Sequence, residues 1–240
     1  TTMTKAVAPV TEKYKVPMVE AEGASRSLFT QGYKYMFAVL STSEYYLAPV
    51  LDLIAQRAKA GWKSPSELRI GMAFENDGFS LDVRAGVLDV AKKYRMKIVI
   101  DDKLPADLSD MSATLTKFKA LKPDILLVSG HSKGAATAAR QIEEMKINAS
   151  AISITHCEAA KVHVKFPKSA NGILCPTQWL TNLPNSEPIF GDAQKYDGDF
   201  KKAYPEYNTG IPYQTAQASA AVLVFKDAFE RANSFDRDKV

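Results

Sequence analysis

Leu68-Arg69-Ile70-Gly71-Met72-Ala73-Phe74 is an apolar run that breaks at Asn76-Asp77-Gly78, and the fold follows from reading it as a strand. Past the break, residues 80–94 place Val83, Val87, Val90, Ala91 and Tyr94 on one helical face. An apolar run, a turn and then a 3.6-residue period describe a buried strand feeding an amphipathic helix. The unit then repeats. Lys97-Ile98-Val99-Ile100 reads as a strand and residues 111–121 as a helix, which Pro123 ends. Ile125-Leu126-Leu127-Val128 is the next strand, 134–145 the next helix, and Ala151-Ile152-Ser153-Ile154 a further strand. Near-continuous apolar strands alternating with helices predict a parallel sheet covered on both faces, an α/β fold.

Outward from this core the pattern thins. Val16-Pro17-Met18-Val19, after an opening helix, and Tyr35-Met36-Phe37-Ala38-Val39-Leu40 read as short strands. Leu47, Val50, Leu51, Ile54 and Ala58 recur at helical spacing within residues 44–60, and Gly61 punctuates the end. After Gly172-Ile173-Leu174-Cys175, residues 180–192 are rich in Pro, Asn and Gly and predict a loop, with helices following near 192–204 and 213–232. Both edges read as cut, so a longer parent chain is expected.

The 240 residues are 46% hydrophobic and 24% charged, as in an ordinary globular protein. No apolar run approaches the ~18 residues a spanning helix needs, so no membrane insertion is expected. The net charge of +4 is spread among interleaved acids and bases, which argues against a nucleic-acid partner. Cys157 and Cys175 are too far apart for a CxxC motif, and spacing leaves both a bridge and two buried thiols open.

Gly130-His131-Ser132-Lys133-Gly134 matches G-x-S-x-G between a strand and a helix, the setting of a hydrolase nucleophile elbow. An esterase using Ser132 is therefore an alternative. Against it, a triad needs an acid and then a histidine on separate strand-end loops, yet His156 and His163 follow within one strand of the elbow. Small residues are also what any strand-to-helix turn favours. No P-loop or dinucleotide fingerprint is present, and the three histidines form no helical metal pair, so no enzyme, cofactor or metal is expected.

Three stretches together resemble the type I periplasmic solute-binding proteins of ABC transporters, in the leucine/isoleucine/valine-binding branch. They are residues 6–19; Gly23-Ala24-Ser25 with Gly32-Tyr33-Lys34-Tyr35-Met36-Phe37; and residues 70–154 with Phe74-Glu75-Asn76-Asp77 and Lys122-Pro123-Asp124-Ile125. The resemblance implies a two-lobed fold, each lobe a parallel sheet flanked by helices. Residues 1–41 plus 178–240 would form one incomplete lobe and 42–177 the other. It also implies an extracytoplasmic or periplasmic location, a membrane permease as partner, and a small carboxylate-bearing ligand in the interlobe cleft. That ligand would be an amino acid, especially a branched-chain one, or an aromatic or aliphatic acid. A ligand-sensing domain of the same fold is a further alternative.

Ligands of open α/β sheets sit at the carboxyl ends of strands. Gly23, Ala24 and Ser25, before a helix expected over residues 26–31, could hold a carboxylate with N–H groups and a hydroxyl; an ordinary Ser cap is the competing reading. By resemblance Phe79 is an aromatic wall, while His131 and the loop of His156 and Glu158 supply polar or aromatic contacts, including an acid for an ammonium. His156 stands at that acid's place, which weakens the case for an α-amino acid. Thr1 is a candidate carboxylate contact, and Trp179 and Tyr213 are candidate pocket walls. His163 is expected to face solvent.

Overall fold

The computed structural model describes residues 1–57, 62–208 and 210–240. The chain forms two compact units. The first comprises Thr1–Ala24, Leu28–Leu40 and Thr177–Val240; the second comprises Ser25–Ser27 and Ser41–Pro176.

The second unit is built on a parallel sheet of β3 (Arg69–Glu75), β4 (Lys97–Leu104), β5 (Ile125–Ser129), β6 (Ala151–Ile154) and β7 (Ile173–Leu174), in the order β4-β3-β5-β6-β7. All of β5, and all of β3 beyond Arg69, is buried, which is why these strands read as unbroken apolar runs. The edge strand β4 alternates between exposed and half-buried positions over its second half and runs four residues beyond its apolar start. Helices α2 (Ala48–Arg57), α3 (Gly78–Tyr94), α4 (Ser112–Leu121) and α5 (Ser132–Glu144) carry the connections. Ala58 and Gly61, expected to close α2, lie outside the described residues.

Asp77 caps α3 by accepting the Ser80 N–H at 2.7 Å, and Arg95 ends it in the left-handed conformation. Phe118, Leu126, Val128, Leu115 and Ile142 meet in a core that seals the helices onto the sheet. Short helices α6 (Val162–Lys165) and α7 (Pro167–Ala170), which have no sequence periodicity to announce them, lead into β7. Cys157 and Cys175 form a disulfide that clips the exit of β6 to the end of β7.

The first unit holds α1 (Thr2–Tyr14), which carries Pro9 in its interior. Here β1 (Met18–Glu20) pairs in parallel with β2 (Met36–Ala38), so both strands are shorter than their apolar runs suggested. The loop expected over 180–192 contains a two-residue antiparallel ladder, β8 (Ser186–Glu187) with β9 (Gly191–Asp192). Helices α8 (Ala193–Ala203) and α9 (Tyr213–Ala232) follow. The helix expected over 26–31 is only a 3-10 turn at Arg26–Leu28. Residues 29–31 form turns and a bend before Gly32, whose φ is 77°.

Candidate functional site

The order of the central sheet creates a crevice. From β3 the chain passes through α3 to β4 on one side; from its neighbour β5 it passes through α5 to β6 on the other. The loops leaving β3 and β5 therefore diverge at their carboxyl ends, the position where open α/β sheets bind ligands.

Three ionisable groups meet there. Glu75, the last residue of β3, has a side chain only 1% exposed. Its Oε2 accepts the backbone N–H of His131 at 3.3 Å, and burial pushes its pKa up to about 7 against the pull of His131. Asp77 accepts the Ser80 N–H through Oδ1, and its Oδ2 lies 2.9 Å from Nε2 of His131. Burial would raise the Asp77 carboxyl, but the His131 and Ser80 hydrogen bonds outweigh it and hold the group below its ordinary value. The same bond to Asp77 raises His131, whose ring remains 54% exposed. Donor atoms of Glu75, Asp77 and His131 lie within 4.8 Å of one another, a spacing that could hold a cation. The Asp77–His131 hydrogen bond already satisfies the arrangement internally.

This geometry explains the G-x-S-x-G stretch. A Cβ at Gly130 would lie 2.6 Å from Glu75 Oε1, and one at Gly134 2.5 Å from the same atom. Both glycines make room for a buried carboxylate. Ser132 is the first residue of α5 and is exposed. His131 engages Asp77 through Nε2, and His156 engages the Gly130 carbonyl through Nδ1. The esterase reading finds no support in this arrangement.

Four rings form the wall of the crevice. Phe79 lies 5.1 Å from Tyr46, 5.5 Å from His131 and 5.1 Å from His156, and the two imidazoles are 5.6 Å apart. Phe79 and Tyr46 are buried, so the surface of the cluster is largely imidazole over an aromatic floor. His156 adopts a left-handed backbone, φ 57°, just past β6. Its Nδ1–H donates to the Gly130 carbonyl at 2.9 Å. Burial drives its pKa down to about 4, so it is neutral at pH 7. Tyr46 comes from the segment before α2, where no strand end or motif marks it.

Glu158 sits two residues beyond His156. Its Oε2 is 3.3 Å from the Cys175 sulfur, its Oε1 is sealed from solvent without a hydrogen-bond partner, and burial raises its pKa to about 7. The remaining candidates lie elsewhere. Ser25 donates its hydroxyl to Asp82 Oδ2 at 2.6 Å, and its Oγ lies 3.3 Å from the Gly78 carbonyl. The Gly23 N–H donates to Glu20 Oε1 at 2.6 Å, and Ala24 is buried. The Gly23 N–H and the Ser25 hydroxyl, expected to meet a carboxylate, thus have partners within the protein. Thr1 is the N-cap residue of α1, and its carbonyl accepts the Lys5 N–H. Within the first unit Trp179 packs against Tyr196 at 5.7 Å and lines a cavity of about 320 Å³. Tyr213 is buried at the start of α9, and His163 is exposed.

Comparison with known proteins matches a family model described as "Periplasmic binding protein" over residues 1–240. A curated relative, Leu/Ile/Val-binding protein homolog 8 of Brucella abortus, is 21% identical over 140 residues, covering 58% of this chain and 35% of its own. The leucine-binding protein LivK of Thermotoga maritima superposes with a TM-score of 0.76 at 23% identity, over 98% of this chain and 63% of that one. A solute-binding protein of an ABC transporter from Rhodopseudomonas palustris, in complex with 3,4-dihydroxybenzoic acid, gives 0.78 at 16% identity, over 98% and 61%. A branched-chain amino acid ABC transporter protein from Thermus thermophilus with bound valine gives 0.74 at 14%, over 100% and 61%. The chain thus spans about three-fifths of the length of these solved relatives and matches about a third of the curated one.

Proposed function

The chain belongs to the periplasmic binding protein family, with the type I fold, and from that premise we propose that it is the solute-binding component of an ABC importer. It acts outside the cytoplasm, takes a small carboxylate-bearing molecule at the carboxyl edge of the second unit's sheet, and delivers it to a membrane permease. The observation that carries this reading is the convergence of Phe79, His131 and His156 with Tyr46 at the switch point between β3 and β5.

The chemistry required is recognition alone. An aromatic floor excludes water from the ligand's apolar body, and imidazole edges orient its polar groups. A disulfide within the second unit suits an oxidising compartment. Among the described residues no helix is long and apolar enough to cross a membrane. Solved relatives carry valine, benzoate or 3,4-dihydroxybenzoic acid, all of them carboxylates.

A thermal-shift screen of the full-length protein against amino acids, aliphatic acids and aromatic acids tests the proposal. A ligand at 100 times its Kd adds about 2.7 kcal/mol of stability. Stabilisation by one class without turnover of ester substrates is the expected result. Ester hydrolysis abolished by Ser132→Ala, with no ligand-induced shift, would overturn it.

A further inference from the structure

We infer that the ligand is a planar aromatic acid whose carboxylate meets the His131 edge, and that an α-amino acid is discriminated against. The inference rests on the solute-binding reading and names the substrate class of that same site.

Two features favour an aromatic acid. The exposed part of the ring cluster is imidazole backed by Phe79 and Tyr46, and a flat ring stacks on such a surface better than a branched aliphatic chain does. Asp77 holds His131 through Nε2, which favours the cationic imidazole and leaves its half-exposed ring beside the crevice.

The acids settle what is disfavoured. An ammonium needs a reachable carboxylate with acceptor capacity to give. Glu75 is enclosed against Gly130, Gly134 and Leu108. Asp77 accepts from Ser80, and the His131 imidazole on its other oxygen offsets its charge. Asp82 accepts from Ser25, and Asp107 lies 3.6 Å from Lys133. Glu158 keeps Oε1 out of reach of solvent and Oε2 against the disulfide. Glu75 and Glu158 are enclosed, Asp77 and Asp82 are already hydrogen-bonded, and Asp107 lies in solvent beside Lys133, so an incoming ammonium would lose its hydration for little return.

The test is isothermal titration of the full-length, ligand-stripped protein with benzoate, 4-hydroxybenzoate, L-leucine and L-valine, on wild type and on His131→Gln. The glutamine keeps a donor for Asp77 and removes the charge. Expected are at least tenfold tighter binding of one aromatic acid than of either amino acid, and at least a tenfold loss of it in a His131→Gln protein that still unfolds cooperatively, because a charge-assisted bond is replaced by a neutral one. Leucine or valine binding as tightly as both aromatic acids would overturn this inference while leaving the solute-binding reading intact. If no probe binds, mass spectrometry of the protein purified from its source decides. A co-purified molecule bearing both an aromatic ring and a carboxylate supports the inference, and any other molecule overturns it. A protein that carries nothing and binds nothing overturns the solute-binding reading as well.

Discussion

Gly134→Ala ought to destabilise this protein, although ordinary helix energetics say the reverse. Gly134 lies in the first turn of α5, and replacing a helical glycine by alanine gains up to about 1 kcal/mol. Here the new Cβ would stand 2.5 Å from Glu75 Oε1 and 3.0 Å from Leu108 Cβ. The Glu75 side chain is 1% exposed and cannot swing into water, so it must shift within a packed core. Overpacking of that kind costs about 1–3 kcal/mol. Displacing Glu75 also weakens its bond to the His131 N–H, a contact worth about 0.5–1.5 kcal/mol with the carboxyl neutral and about 1.5–3 kcal/mol with it ionised. Net destabilisation should be about 1–3 kcal/mol. Urea denaturation of wild type, Gly134→Ala, Glu75→Ala and the double variant measures it, and removing the carboxylate should relieve the clash with a coupling of at least about 1 kcal/mol. A Gly134→Ala protein more stable by about 1 kcal/mol, or a coupling within about 0.5 kcal/mol, would refute the claim that these glycines exist to seat Glu75. Ser132→Ala, at an exposed position, should change stability by no more than about 0.5 kcal/mol.

Three further outcomes follow from the same geometry. Replacing Cys157 and Cys175 by serine opens a loop spanning 18 residues and should cost about 3 kcal/mol, read as a lower denaturation midpoint; an unchanged midpoint would mean the bridge constrains nothing. His156, depressed from 6.5 to about 4, contributes stability that is fully present above pH 6.5 and lost as pH falls toward 4, on the order of 3 kcal/mol. Its ring resonances should therefore stay flat in an NMR titration from pH 8 to about 5, and a midpoint near 6.5 would contradict its burial. Glu158, raised from 4.5 to about 7, has the opposite sign: stability is present below pH 4.5 and lost as pH rises through 7. Glu158→Gln should accordingly gain on the order of 3 kcal/mol over wild type at pH 8 and nothing at pH 4.5, and a gain independent of pH would point to packing instead.

Much of the second unit was legible because β3 and β5 are buried on both faces and so read as continuous apolar runs. Where elements are two to four residues long, as in β7, α6, α7 and the β8–β9 ladder, no period can accumulate, and sequence reading found a loop or nothing. The segment after β1, where the expected helix over 26–31 is a single 3-10 turn, carries a contact of another kind. Its Ser25 bonds to Asp82, 57 residues away, and such a tertiary contact leaves no local trace. Phe79, His131 and His156 stood out because each lies just past a strand end. Glu75 and Asp77 did not, since one is the last residue of an apolar strand and the other resembles an ordinary turn aspartate. Tyr46 is brought in by packing alone. The disulfide depended on geometry that spacing does not contain.

On the proposed role of His156 as a ligand contact, its left-handed backbone limits how the site can evolve. At φ 57° only glycine is unstrained, and asparagine, aspartate and histidine are tolerated far better than bulky or β-branched residues. A lineage exploring new ligands through this position therefore draws from a short alphabet. It can exchange an imidazole for a carboxylate, an amide or a bare backbone, but an aliphatic wall of valine or isoleucine would first require the loop after β6 to be rebuilt. Changes of specificity at position 156 should come as switches of charge and hydrogen-bonding character rather than as gradual adjustments of pocket size.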